Sequence, residues 1–170
     1  QTVLNIRASQ NAKATVFMTG GWVDSYPDDV KAIAAAGHDL GNHSQNHPQM
    51  STRSASECEA ELTQVHEKVR ELTGYEMFLF RPPYGDYDNA VIKVARECGY
   101  YPIQWDVDSL DWKFQNTRRI VRRVEKDVKD GDIILMHDIF PTSVEAALQI
   151  VDDLQKRGYE FVTAEELLVA

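Results

Sequence analysis

The feature that most constrains this fold is a repeated alternation. Short runs rich in β-branched and aromatic residues, at 14–19, 38–42, 77–80, 101–106, 132–137 and 160–162, are separated by amphipathic helical patterns. Strands separated by helices cannot close as tight hairpins, so they pair through crossovers, giving a mainly parallel sheet covered by helices. The helix ends are legible. Ser54 with Glu57, Thr142 with Glu145 and Thr163 with Glu166 match the capping box, in which a hydroxyl and a carboxylate satisfy orphan amides at a helix start. Gly37, Gly74, Gly99 and Gly158 stand where helices should close in a left-handed conformation. Cys58, Leu62, Val65, Val69 and Leu72 recur at steps of three and four, which predicts one helix with one buried face.

A chain of 170 residues suits one hydrophobic core, so residues 1–170 are expected to form one domain. No apolar run approaches the roughly 18 residues of a membrane span. The formal charge of −9 disfavours a polyanion-binding surface and hence a nucleic-acid partner. The one basic run, RRIVRR at Arg118–Arg123, has the spacing of a solvated helix face. Cys58 and Cys98 lack C-x-x-C spacing, and Cys58 on an apolar stripe reads as a buried free thiol. The opening QTVLNIRASQNA reads as a helix or irregular piece leading into KATVFM, so the alternation begins without a strand. A parallel barrel should begin on one, and eight units usually need about 250 residues. We therefore expect a first strand and its loop to come from outside this sequence, which would make 1–170 the C-terminal part of the domain.

In parallel barrels, chemistry sits at the C-terminal ends of strands and in the loops after them. Asn42, His43 and His47 follow the second candidate strand; Arg81, Pro82, Pro83 and Tyr84 the third; Asp106, Asp108, Asp111 and Trp112 the fourth; His137 and Asp138 end the fifth. HSQNH at His43–His47 is an H-x-x-x-H pattern, and on a helical turn ended by Pro48 both imidazoles would share one side and could share a divalent ion. A catalytic zinc site commonly takes three protein ligands, so a third, carboxylate ligand is expected from elsewhere. RPPYG has a loop stiffened by two prolines, with a plain surface turn as the alternative. WDVDSLDW crowds three carboxylates between two tryptophans, either beside a cation or as a solvated acidic loop. His137 in ILMHD is either a core histidine or an acid–base group tuned by a carboxylate.

Taken in order, HSQNH, RPPYG, DVDSLDW and LMH resemble motifs two to five of the polysaccharide deacetylase family, also called the nodulation-factor deacetylase homology domain or carbohydrate esterase family four. The resemblance runs on through KATVFM, AAAGHDLGNHS and RGYEFVTAEELL. It implies an α/β fold, a distorted (β/α)7 barrel, here without its first strand, and metal-dependent removal of acetyl groups from glycans. It further implies that His43 and His47 bind one divalent ion, zinc in the first place or cobalt or nickel. Arg81 would hold the catalytic base, Tyr84 would offer its backbone amide to an oxyanion, Asp111 would orient His137 and His137 would be the acid. Trp112 and Leu135 would wall the pocket for the acetyl methyl. The family's first motif, an Asp-Asp pair after the first strand that supplies base and third ligand, has no counterpart. Asp28-Asp29 and Asp152-Asp153 both belong to helical patterns.

WDVDSLDWK and HDIFPTSVEA are most similar to members acting on N-acetylglucosamine of bacterial peptidoglycan, which implies an extracellular or cell-surface location and a glycan polymer as partner. The missing N-terminal segment, as a separate chain or through cleavage, would be a second partner. Chitin oligomers and acetylated xylan are alternative substrates. A non-catalytic glycan-binding fragment and a ring-opening amidohydrolase are alternative functions.

Overall fold

Residues 10–169 are described in a computed structural model of the chain. Most of the expected helical or irregular lead-in at 1–12 lies outside these residues. Contacts divide the chain into two compact units, residues 15–104 and residues 1–14 with 105–170, and each is described by itself.

The 15–104 unit carries a four-stranded parallel sheet in the order β1 (Thr15–Met18), β2 (Asp39–Asn42), β3 (Leu79–Phe80) and β4 (Tyr101–Pro102). Thr15 pairs with Asp39 and Met18 with Asn42, Asn42 with Phe80, and Phe80 with Pro102. The expected strand at 101–106 is reduced to Tyr101–Pro102, with the Ile103 amide still donating to Phe80 O at 2.8 Å. Helix Ala55–Thr73 follows its sequence signals. Ser54 and Glu57 form the capping box, Gly74 closes it at φ 73°, and Cys58, Leu62, Val65 and Val69 are its buried residues. Leu40, Leu79, Phe80 and Val30 are also fully buried. Each such side chain contributes on the order of 1.5–3 kcal/mol relative to exposure. Helices Gly20–Ser25, Pro27–Ala35 and Asn89–Glu97 complete the unit. One glycine is dictated by packing: a Cβ on Gly41 in β2 would lie 2.4 Å from the Phe17 ring of β1. The missing side chain lets Phe17 lie across β2.

The second unit pairs β5 (Val107–Asp108) with β6 (Ile134–Leu135) in parallel, Asp108 opposite Leu135. β5 lies inside the acidic WDVDSLDW segment, where no strand is expected from the sequence, and β6 is the short remainder of the run at 132–137. Helix Thr117–Asp127 buries Ile120, Val121 and Val124, and these pack with Ala146, Ile150 and Leu154 of helix Pro141–Lys156. RRIVRR is therefore a solvated face over a buried stripe. The last helix, Ala164–Leu168, begins with the expected Thr163–Glu166 capping box.

Two expectations fail here. Thr142 and Glu145 form no capping box: the helix starts two residues earlier than that box requires, with Pro141 at its first position and Phe140 as N-cap, and Glu145 accepts instead from the Thr117 hydroxyl at 2.9 Å. Residues 160–162 form no strand; the Phe161 carbonyl accepts one bond of 3.4 Å from the Lys13 amide. Among the described residues no helix is long and apolar enough to cross a membrane.

Candidate active site

The HSQNH segment corrects the expectation of a helical turn. It is a loop, with Ser44 at φ 69° and His47 at φ 56°, both left-handed. Each such non-glycine residue costs about 1–2 kcal/mol, so the surroundings must impose the shape. They do so through five consecutive backbone amides. His43 N donates to Met18 O at 3.0 Å, extending the β1–β2 ladder, and Ser44 N to Asn42 Oδ1 at 2.9 Å. Gln45 N donates to Glu61 O at 3.0 Å, Asn46 N to Glu61 Oε2 at 2.7 Å, and His47 N to Ser44 Oγ at 3.0 Å. From the other side, Gly20 N and Gly21 N donate to the Ser44 and Gln45 carbonyls.

The result brings the two imidazoles together by a route other than helical spacing: His43 Nε2 and His47 Nε2 are 3.1 Å apart. His43 Nδ1 lies 2.7 Å from the Arg81 carbonyl, which can only accept, so Nδ1 carries the proton and Nε2 the lone pair. Two nitrogens each about 2.0–2.1 Å from a tetrahedral ion stand roughly 3.3 Å apart, close to what is seen. The pair thus fits two positions of a metal shell. Among the described residues no group of three His, Cys, Asp or Glu side chains is placed to hold an ion. Asp28 and Asp29 lie in the first turn of helix Pro27–Ala35, and Asp152 and Asp153 inside helix Pro141–Lys156, as their patterns predict.

Arg81 follows β3 and is 8% exposed. Its guanidinium lies over the Phe17 ring, 4.2 Å from the centroid, and Nη2 donates to Gln104 O at 2.9 Å. Burial lowers its pKa to about 10. Tyr84 stands at φ 60° in the turn Pro83–Gly85, its side chain exposed and its ring edge-on to His47 at 4.6 Å. The amides of Gly85 and Asp86 are spent on Pro82 O and Pro83 O, while the Tyr84 amide makes no hydrogen bond among the described residues.

In the second unit, Asp111 is fully buried and serves His137 twice. Oδ2 accepts from the His137 backbone amide at 2.7 Å, and Oδ1 from His137 Nδ1 at 2.8 Å and from the Trp112 amide at 3.0 Å. Burial alone would push the Asp111 carboxyl up, but the His137 side-chain and backbone hydrogen bonds, with a smaller contribution from Ser143, hold it below its ordinary value. Ionised Asp111 only accepts, so it fixes the proton on Nδ1 and leaves Nε2 as the other working nitrogen of a partly exposed ring. Leu110, just before it, is left-handed at φ 52°, and Asp108 Oδ1 caps that turn by accepting from Leu110 N at 2.9 Å. Leu135 is buried in β6, two residues before His137, and Trp112 is half exposed.

The eight residues singled out from the sequence thus form two groups: His43, His47, Arg81 and Tyr84 in one unit, Asp111, Trp112, Leu135 and His137 in the other. Sequence reasoning missed Phe17, Gln104, Ser44 and Ser143. Phe17 had a signal in the glycine across from it; a backbone carbonyl partner such as that of Gln104 has none.

Residues 1–103 match the family described as polysaccharide deacetylase. The chain is 38% identical over 165 residues, 97% of its length, to the peptidoglycan-N-acetylglucosamine deacetylase PgdA of Listeria monocytogenes serotype 1/2a (strain 10403S), of which it spans 35%. It is 39% identical over 171 residues to the peptidoglycan-N-acetylglucosamine deacetylase of Bacillus cereus, covering 98% of the chain and 80% of that protein. The solved structure of the peptidoglycan deacetylase PdaC from Bacillus subtilis superimposes with a TM-score of 0.91 at 33% identity, over 98% of this chain and 81% of that one. The chain belongs to the polysaccharide deacetylase family, carbohydrate esterase family four, and has its α/β fold of parallel strands. The family's deacetylases are metal-dependent hydrolases.

Proposed function

We propose that this chain is the catalytic part of a metal-dependent deacetylase that hydrolyses N-acetyl groups of N-acetylglucosamine in bacterial peptidoglycan, working outside the cell or at its surface. The observation that carries the reading is the convergence of His43 Nε2 and His47 Nε2, with the His43 tautomer set by the Arg81 carbonyl. The names of the Listeria and Bacillus cereus relatives support N-acetylglucosamine of peptidoglycan, and that of the Bacillus subtilis relative supports peptidoglycan as the polymer.

An acetamide is a weak electrophile with a poor leaving group, so its hydrolysis needs carbonyl polarisation, an activated water and a proton for the departing amine. His43 and His47 would hold a divalent ion, zinc first and cobalt or nickel next by donor type, and when bound it supplies Lewis acidity. The Tyr84 amide, otherwise unspent, donates to the oxyanion. Buried Arg81 would hold, by charge and hydrogen bonding, a carboxylate base that takes the water's proton; the family's Asp-Asp pair that supplies it has no counterpart among residues 1–170. Asp111 keeps Nδ1 of His137 protonated, and the Nε2 proton of the imidazolium passes to the leaving nitrogen. Trp112 and Leu135 shape an apolar wall for the acetyl methyl.

The test is acetate release by the full-length protein from peptidoglycan, N-acetylglucosamine oligomers and acetylated xylan, with metal content measured alongside. His43→Ala should lose the metal. His137→Ala should keep it while turnover falls about 10²–10⁴-fold. Survival of activity in His137→Ala, or full metal content in His43→Ala, overturns the assignment.

A further inference from the structure

Behind the HSQNH loop runs a buried chain of hydrogen bonds that the proposed chemistry does not use. Asn42, at the end of β2, is fully buried, as is Ser44, and Tyr100 is 2% exposed. Asn42 Oδ1 accepts the Ser44 amide at 2.9 Å, and Asn42 Nδ2 donates to Leu62 O and to Tyr100 Oη, each at 2.9 Å. Tyr100 Oη lies 2.6 Å from His66 Nδ1, and His66 Nε2 lies 2.8 Å from Glu76 Oε2 at the surface.

The donors and acceptors allow one direction only. A backbone N–H can only donate, so the Ser44 amide fixes which end of the Asn42 amide is oxygen. The NH2 group must then face Leu62 O and Tyr100. Since Tyr100 oxygen receives that proton, its own O–H goes to His66 Nδ1, and His66 Nε2–H goes to Glu76. Burial pushes the Tyr100 phenol well above its ordinary pKa, which keeps its proton on. Every polar atom named in this interior stretch has a partner, and Asn42 ties helix Ala55–Thr73, Tyr100 and the loop into one frame.

We propose that Tyr100 is a positioning residue for the His43–His47 loop, acting through Asn42 on Ser44. Ser44 is left-handed at φ 69° and is held there by Asn42 Oδ1, and its own hydroxyl holds the His47 amide at 3.0 Å. Without the Tyr100 hydroxyl, one Asn42 N–H is buried with no acceptor, so the amide turns or shifts toward another, and Oδ1 leaves the Ser44 amide. The His47 imidazole then loses the backbone geometry that brings its Nε2 to that of His43. The inference rests on the metal-binding role proposed for those two histidines.

The test uses cobalt(II) with the full-length protein and four forms: wild type, Tyr100→Phe, His43→Ala and Val69→Ala. Tyr100→Phe keeps the ring and deletes one oxygen. Val69→Ala, a cavity in the same helix as Leu62, reports mere loss of stability. Tyr100→Phe should weaken cobalt affinity about 10–100-fold, in the range for groups behind metal ligands, and change its visible absorption. Substrate KM should hold while kcat falls. Val69→Ala should lower the melting temperature with the cobalt spectrum unchanged. If Tyr100→Phe does not fold, His66→Ala at the outer end of the chain should give a smaller change in the same direction. Wild-type affinity and spectrum in Tyr100→Phe, or equal effects in Val69→Ala, overturn the inference and leave the metal site standing. No cobalt binding by wild type, or undiminished binding by His43→Ala, removes the metal reading and this inference with it.

Discussion

Asp111→Asn tests the proton donor with the smallest change of shape. The carboxylate accepts three N–H groups, from the His137 backbone, His137 Nδ1 and the Trp112 backbone. Asparagine offers one oxygen and one NH2 in the same space. If its oxygen replaces Oδ1, the NH2 meets the His137 backbone N–H, donor against donor. If it replaces Oδ2, the NH2 meets the Trp112 N–H, and His137 Nδ1 must give up its proton to accept. Either way a buried N–H loses its acceptor, at about 1–3 kcal/mol, and two bonds to a charged group, each about 1.5–3 kcal/mol, weaken or vanish. Some of that returns through the new contacts and through solvent at the partly exposed His137 ring, so a stability loss of about 1–3 kcal/mol is expected. The catalytic loss has a separate origin. The imidazolium loses its counter-charge, and a neutral ring protonated at Nε2 is too weak an acid to release the amine. Turnover should fall about 10²–10⁴-fold at temperatures where the variant is folded. Acetate release from N-acetylglucosamine oligomers, with denaturant unfolding in parallel, separates the two effects. A folded Asp111→Asn protein within a few-fold of wild-type kcat would refute the role given to this pair.

The same carboxylate predicts a pH dependence. Its folded pKa lies below the ordinary 3.8, so its contribution to stability is complete above that value and is lost as pH falls through the folded value. The stability gap between wild type and Asp111→Asn should shrink as pH falls below about 4; urea unfolding at stepped acid pH checks it, and a gap that widens below about pH 4 contradicts the sign. Gly41→Ala should cost about 1–3 kcal/mol, because its Cβ would meet the Phe17 ring at 2.4 Å and the ring cannot withdraw without moving from under Arg81. Denaturant midpoints measure this, and a neutral substitution would mean that Phe17 is free to shift.

The order of elements was legible because each helix carries its own punctuation. The Ser54 and Thr163 boxes and the left-handed glycines at 37, 74, 99 and 158 stand where the pattern puts them. Strand lengths were less legible. The run at 101–106 pairs only at Tyr101 and Pro102, with the Ile103 amide donating to Phe80 O, and no local signal in the sequence marks that end. Thr142 and Glu145 show the limit of a local motif: Pro141 set the helix start one residue ahead of the hydroxyl, and Thr117 took the carboxylate.

The chemistry-bearing residues were legible as types, whereas the geometry of the loop that carries two of them was not. H-x-x-x-H suggests a helix because helical spacing is the simplest way to put two imidazoles on one side. Here the same convergence comes from two left-handed residues, Ser44 and His47, whose cost no local pattern announces. Two of the groups that impose it, Met18 in β1 and Glu61 in the long helix, lie far away in sequence, and the third, Asn42 beside the loop, is backed by the distant Tyr100. Apart from the Glu61 carboxylate, those partners are buried or are backbone atoms, and a backbone carbonyl carries no residue identity. A short polar loop can therefore announce its ligands in sequence, while the rigidity that makes them a pair is written in residues that resemble ordinary core.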